Sequence, residues 1–176
     1  MKTDIPEKIK KEFNINIHRC MQCLSCSNGC PFIDIMDYPP HIIIRYTQLG
    51  FLDKVLFSKT PWICVGCNTC SYACPMSIDI PTFFDVIKEY IIDNNLYISE
   101  PKIFEFHQQV LNSIKKYGKT HKLEIIFNFK LKNLDFFSDI GVGLKMFLKR
   151  KIHLRPPNFD YINEIKKIFS NEYEKR

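Results

Sequence analysis

A chain of 176 residues, 45% hydrophobic and 25% charged, fits one compact domain or two very small ones with an ordinary globular balance, which excludes a large multi-domain enzyme and a disordered polymer. Lys and Arg exceed Asp and Glu by 25 to 19, a formal charge of +6; so modest an excess suits an acidic protein surface, a membrane periphery or nucleic acid and selects none of them. With 6 Gly the chain has little material for a glycine-rich nucleotide loop, and its distinctive content is 8 Cys.

The opening MKTDIPEKIKKEFNINIH is a charged amphipathic stretch without a signal-peptide core. No run approaches the roughly 18 apolar residues of a membrane span, so the expectation is a cytoplasmic protein. In a reducing compartment eight cysteines point to metal binding or redox chemistry before structural disulfides.

All eight lie between Cys20 and Cys74. The first four are Cys20, Cys23, Cys26 and Cys30, followed by Pro31; the second are Cys64, Cys67, Cys70 and Cys74, followed by Pro75. Each reads C-x2-C-x2-C-x3-C-P, an internal repeat separated by a 33-residue insert. This is the run that bacterial two-cluster ferredoxins use for [4Fe-4S] centres, in which the fourth cysteine of each run ligates the other cluster. The pattern predicts Cys20, Cys23, Cys26 and Cys74 on one cluster, and Cys64, Cys67, Cys70 and Cys30 on the second. Soft thiolates select iron–sulfur clusters or zinc. A structural zinc site is the competing reading, although zinc modules present separated ligand pairs and these quartets are continuous. Between the ligands, Met21, Gln22, Leu24 and Ser25, and then Val65, Gly66, Asn68 and Thr69, are placed to hydrogen-bond cluster sulfurs. Trp62 either shields a cluster or packs in the core.

In the insert, Pro40 opens a helix with Ile43, Tyr46, Thr47 and Leu49 near helical spacing, Gly50 stops it, and a second turn or short helix runs through Phe57. After the second quartet, Asp79 caps a helix carrying Pro81 in its first turn and Phe83, Phe84, Ile87, Tyr90 and Ile91 on its apolar face. A further helix spans 99–117, with Ser99 as cap, Pro101 in the first turn, a core stripe of Ile103, Phe106, Val110 and Ile114, and Gly118 as terminator. The stretch from Lys122 to Phe137 is read as helical, and from Asp160 a last amphipathic helix carries Ile162, Ile165, Ile168 and Phe169. The fold class is therefore all-α: a two-cluster helical ferredoxin domain over 1–98 and a helical, partner-binding extension over 99–176.

Within 141–157, Lys145, Lys149, Arg150, Lys151 and Arg155 surround Met146, Phe147 and Leu148, a docking segment or a solvated basic face; Gly141 and Gly143 make no dinucleotide fingerprint. His18, His41, His107, His121 and His153 form no local ligand pattern, and His18 and His41 alone lie near a quartet. No catalytic residues stand out, and without an organic-cofactor motif the chemistry that remains is one-electron transfer.

With CMQCLSCSNGCP and CVGCNTCSYACP, the segments MDYPPHIIIRYTQLG and LFSKTPWIC between them, and the later KKYGKTHKLEIIFNF and GLKMFLKRKIHLRPP, the chain resembles the C subunit of heterodisulfide reductase and its bacterial relatives. Double quartets also occur in the iron–sulfur subunits of glycerol-3-phosphate dehydrogenase, succinate dehydrogenase and glycolate oxidase; the flanking segments make the distinction. The resemblance implies two [4Fe-4S] clusters and a relay of electrons between a flavin-containing A-type subunit and a B-type subunit with cysteine-rich domains. The complex would act on the mixed disulfide of coenzymes M and B or, in sulfur-oxidising bacteria, on bound sulfur compounds; GLKMFLKRKIHLRPP leans toward the latter branch. No nucleic acid is implied, nor any transmembrane segment, with peripheral membrane association left open. Leu24 replaces a glycine frequent in the family, His41 an arginine, and Lys122 an acidic residue. The alternatives are the iron–sulfur subunit of a quinone-linked dehydrogenase and a zinc or nucleic-acid-binding module.

Overall fold

The computed structural model describes Lys11, residues 13–133 and residues 161–174. All regular structure among them is helical, in agreement with the all-α class, and the chain divides into two compact units, Met1–Pro101 and Lys102–Arg176. The first unit holds α1 (Ser25–Asn28), α2 (Pro40–Gln48), α3 (Leu52–Leu56), α4 (Thr60–Ile63), α5 (Thr69–Tyr72) and α6 (Ile80–Asp93), with 3-10 turns at Ile17–Arg19 and Ile33–Ile35. The second holds α7 (Pro101–Tyr117), α8 (Lys122–Asn133) and α9 (Ile162–Glu174).

Helix α2 starts on Pro40, whose missing N–H is one the first turn does not need. It ends in a Schellman motif: Gly50 adopts φ +77°, its N–H returns to the Thr47 carbonyl, and the Phe51 N–H reaches the Tyr46 carbonyl at 2.9 Å. The Tyr46 and Phe51 rings then meet edge-on at 6.1 Å, the apolar contact that accompanies this motif. Ile43 and Thr47 are buried as the periodicity implies, but Leu49 is 52% exposed and Ile44 is buried instead, because at 3.6 residues per turn Ile44 shares the arc of Ile43 and Thr47 while Leu49 falls on the opposite face. Helix α6 is capped by Asp79, whose carboxylate accepts from the Thr82 N–H at 3.3 Å and its hydroxyl at 2.7 Å. Its inner face contributes Ile80, Phe83, Phe84, Ile87 and Ile91, which with Ile17, Ile43, Ile44 and Val55 form the core of the unit. Each such side chain stabilises the fold by about 1.5–3 kcal/mol through loss of apolar surface from water. Trp62 is also in this core, at 2% exposure.

A carboxylate far away in sequence caps α4. Asp37 accepts from the Lys59 N–H at 2.9 Å, the Thr60 N–H at 3.1 Å, and the hydroxyls of Ser58 and Thr60 at 2.8 Å each. It thereby ties the segment leaving the first cysteine run to the helix entering the second. Burial alone would raise the Asp37 pKa, but these donors outweigh it and hold the carboxyl below its ordinary value. The contribution is therefore present at neutral pH and lost only as the pH falls below the usual carboxylate range.

In the second unit, α7 and α8 form an antiparallel hairpin. Phe106 meets Phe129 edge-on at 5.8 Å, Lys116 pairs with Glu124 at 2.7 Å, and the His121 N–H donates to Ser113 Oγ at 2.8 Å. Gly118, at φ +74°, makes the exit from α7. Two expectations are corrected here. Ser99 does not cap α7; its hydroxyl donates to the Phe57 carbonyl at 2.7 Å and the helix begins at Pro101. Nor is the Ile103, Phe106, Val110, Ile114 stripe a core: Phe106 is 43% exposed, and the most buried positions of α7 are Gln109 and Ser113. Ser113 is drawn in by the link to α8, and Gln109 pairs with Glu105 one turn away. Residues 134–137 of the helix expected from Lys122 to Phe137, Asp160 and the basic segment 141–157 lie outside the described residues.

Replacing Asp37 with Ala is expected to lower stability by about 1 kcal/mol, the usual loss for a helix cap, seen as a lower denaturant midpoint in anaerobic unfolding with the slope unchanged.

Candidate metal centres

The two cysteine runs are built on one backbone design. Cys20 and Cys64 each close a helical turn, with φ/ψ of −64°/117° and −64°/120°, and each N–H returns to a carbonyl at 3.1 Å, that of Ile17 or Thr60. Beyond them the chain turns left-handed twice in each run, at Gln22 (φ +58°) and Leu24 (+66°), and at Gly66 (+67°) and Asn68 (+62°). These reversals carry the loop around Cys23 and Cys67, both exposed. The one-turn helices α1 and α5, which pack against each other, then bury Cys26 and Cys70, and each run ends on a further turn at Cys30 or Cys74. Leu24 holds a left-handed backbone that a residue without Cβ enters more freely.

Ser27 and Ser71, the same position of the repeat, each anchor a following helix. Ser27 Oγ accepts from the His41 N–H at 3.3 Å and lies 2.7 Å from His41 Nδ1. Ser71 Oγ accepts from the Ile80 N–H at 3.3 Å and donates to Asp79 at 3.2 Å. Thus α2 is seated on the first run and α6 on the second.

Two cavities open between these elements. One has Cys20, Cys23, Cys26 and Cys74 in its wall, together with Met21, Leu24, His41, Ile44, Met76 and Ile78. The other has Cys64, Cys67, Cys70 and Cys30, with Phe32, Met36, Val65, Pro81 and Phe84. Each cavity therefore draws three cysteines from one run and the last cysteine from the other. Apart from the sulfurs, both walls are largely apolar. Among the described residues, no group of three or more His, Cys, Asp or Glu is arranged to hold a single metal ion. Sulfurs spaced around a wall suit instead a polynuclear group in which each metal takes its own thiolate, and the soft all-sulfur donor set fits iron–sulfur chemistry.

The cysteines differ in acidity. The Ser25 hydroxyl, 3.4 Å from Cys23 Sγ, and the Ser25 N–H lower the Cys23 pKa; the Thr69 hydroxyl, 3.5 Å from Cys67 Sγ, and the Thr69 N–H do the same for Cys67. Burial pushes Cys26 and Cys64 up, and it pushes Cys70, also close to the other sulfurs, up to about 11.

Of the two histidines near a quartet, His41 lies in the wall of the first cavity, and desolvation lowers its pKa; His18 is exposed and lines neither cavity. Trp62 also lines neither, so its place is in the core. Asp37 and Ser27 position the site, although nothing in their local sequence marks either one as doing so. Asp37 is an acid before a Tyr-Pro-Pro segment, like many surface acids, whereas the recurrence of Ser at 27 and 71 is a usable signal.

Residues 16–78 match the 4Fe-4S dicluster domain family. The chain is 29% identical over 109 residues to the iron-sulfur C subunit of the CoB-CoM heterodisulfide reductase of Methanopyrus kandleri, covering 62% of this chain and 54% of that one. It is 32% identical over 85 residues to the C subunit of the H(2):CoB-CoM heterodisulfide,ferredoxin reductase of Methanothermobacter marburgensis, covering 48% and 44%. To a protein of Archaeoglobus profundus that is itself described as like the heterodisulfide reductase C subunit it is 33% identical over 75 residues, 42% and 40% of the two chains. The chain spans about half the length of the curated relatives it matches. It carries an iron–sulfur domain consistent with the C-subunit family of heterodisulfide reductases.

In protein stripped of metal under conditions that retain its helical signal, Cys23 and Cys67 are expected to alkylate first and Cys26 and Cys70 last. Peptide mass mapping over a time course of iodoacetamide labelling reads this order; uniform labelling would contradict the geometry.

Proposed function

We propose that the chain is an electron-relay subunit with two [4Fe-4S] clusters, one on Cys20, Cys23, Cys26 and Cys74, the other on Cys64, Cys67, Cys70 and Cys30. The observation that carries this reading is the membership of the two cavities, each with three thiols from one run and one from the other. When bound, such clusters supply one-electron oxidation and reduction. The chain's own part is to hold them with eight thiolates and to keep water from them with apolar walls, Ile44, Met76 and Ile78 on one side and Phe32, Met36 and Phe84 on the other.

Each cavity has one exposed cysteine in its wall. Cys23 and Cys67 are exposed, flanked by Met21 at 63% and Val65 at 62% exposure. These apolar lips suit close approach of redox partners, and the similarity to the C subunits of heterodisulfide reductases supports a place in such a complex. In this reading the partners are a flavin-containing A-type subunit and a cysteine-rich B-type subunit acting on a disulfide or bound sulfur compound. The chain lends its cluster domain, residues 1–98, and its helical extension, residues 99–176, to that assembly; the exposed Phe106, Leu111 and Phe127 of the extension suit partner contact. Among the described residues no helix is long and apolar enough to cross a membrane.

Paired cysteine replacements test the crossed ligation. Cys20→Ser with Cys74→Ser is expected to lose no more iron than Cys20→Ser alone, about half, whereas Cys20→Ser with Cys30→Ser is expected to lose nearly all. The opposite order in iron and sulfide analysis would assign each run its own cluster. Anaerobic purification from the native host is expected to recover a flavoprotein and a cysteine-rich partner in stoichiometric amounts; recovery of a quinone-linked dehydrogenase instead would overturn the complex assigned here.

A further inference from the structure

The two runs share one backbone but differ in what they place at its first left-handed position. In the second run this residue is Gly66, at φ +67°, where a Cβ would meet nothing within 4 Å. In the first it is Gln22, at φ +58°. A left-handed backbone disfavours any residue with a Cβ, and glutamine has none of the local compensation open to asparagine or aspartate. The repeat itself shows that glycine satisfies the turn.

The Gln22 side chain is held at both ends of a bridge. Its Nε2 donates to the His41 carbonyl at 3.1 Å and to Cys20 Sγ at 3.3 Å. A carbonyl only accepts, so the amide must present its nitrogen there, and the same nitrogen then faces the sulfur. Because His41 belongs to the first turn of α2, the bridge is anchored to the helix seated on this run. The side-chain hydroxyls beside the exposed ligands match between the halves, for Ser25 and Thr69 hold the same repeat position at 3.4 and 3.5 Å from Cys23 and Cys67. The side-chain amide of Gln22 has no counterpart at Gly66, which addresses the Cys64 sulfur through its backbone N–H.

We propose that Gln22 sets the reduction potential of the centre bounded by Cys20, Cys23, Cys26 and Cys74, raising it by donating a hydrogen bond to the Cys20 sulfur. Adding an electron increases the negative charge on the ligand sulfurs, so an N–H aimed at one of them stabilises the reduced state more than the oxidised one. Gln22 biases an electron toward the Cys20 side of the pair, and the turn tolerates a strained residue for the sake of its amide. This inference rests on the reading that these thiolates hold a [4Fe-4S] cluster.

The test is a redox titration, followed by electron paramagnetic resonance, of the anaerobically purified two-cluster protein and its Gln22→Gly and Gln22→Leu forms. Gln22→Gly installs the residue of the other run and Gln22→Leu keeps the volume without the donor, so neither needs a new backbone. In both, one midpoint is expected to fall by about tenfold in the reduction equilibrium, about 59 mV for a one-electron couple, while the other stays in place. A structural role alone would not produce a second signature: in wild-type protein carrying ¹⁵N in its glutamine side chains, pulsed resonance of the reduced centre is expected to show a ¹⁵N coupling that Gln22→Leu lacks. Unmoved midpoints in fully loaded variants, or a coupling that survives Gln22→Leu, would overturn the assignment of Gln22 alone. Wild-type protein without iron and acid-labile sulfide would remove the cluster reading and this proposal together.

Discussion

The exchange of the last cysteine between two otherwise equivalent runs is the constraint around which the first unit is organised. Cys30 stands in the wall of the cavity that Cys64, Cys67 and Cys70 line, and Cys74 in the wall of the other. For this to happen, the segment after each run must cross to the opposite cavity, and the rest of the unit serves those two crossings. Phe32 and Met36 travel with the first crossing and Met76 and Ile78 with the second, so each departing segment also supplies the apolar wall it passes. Asp37 fixes the first crossing to α4, and Ser71 with Asp79 fixes the second to α6. A small domain whose two halves each complete the other gains cohesion that its modest core would not supply alone.

Within that symmetry the two halves are not alike. Their φ angles agree to within about ten degrees at both left-handed positions, yet one run places Gly66 and Asn68 there and the other Gln22 and Leu24. Each left-handed residue with a Cβ costs roughly 1–2 kcal/mol relative to the right-handed region, and Asn bears this more easily than Leu. The first run is thus the more strained and also the more elaborated, with Gln22 bridging Cys20 to His41 and His41 standing beside Ser27 at the cavity wall. The second is closer to a bare ligand loop. Strain concentrated where side chains address a site is what a functional difference between two similar centres would look like.

The second unit has a different character. Its hairpin is held by a few defined contacts, the Phe106–Phe129 ring pair, the Lys116–Glu124 ion pair and the Ser113 bond to the interhelical link. A two-helix hairpin has one internal face, so the apolar stripe of α7 is only partly covered, and Leu111, Ile126 and Phe127 remain at the surface.

Much of this was legible in the sequence, and the reason is local. The repeat of eight cysteines, the helix starts at Pro40 and Asp79, and the stops at Gly50 and Gly118 each depend on residues a few positions apart, where spacing and backbone preference carry the information. The family resemblance added the expectation of a helical iron–sulfur domain, and the domain match over residues 16–78 agrees with it. What the tertiary structure alone decided involves partners distant along the chain: Asp37 capping a helix that begins at Thr60, Ser27 meeting His41, Trp62 turning into the core, and Ser99 leaving its helix for the Phe57 carbonyl. The left-handed turns at Gln22 and Leu24 run against local preference, which favours glycine or asparagine there. They are held because the loop must close around Cys23 and because Gln22 finds acceptors on both sides, a balance set by contacts in space rather than by neighbours in sequence.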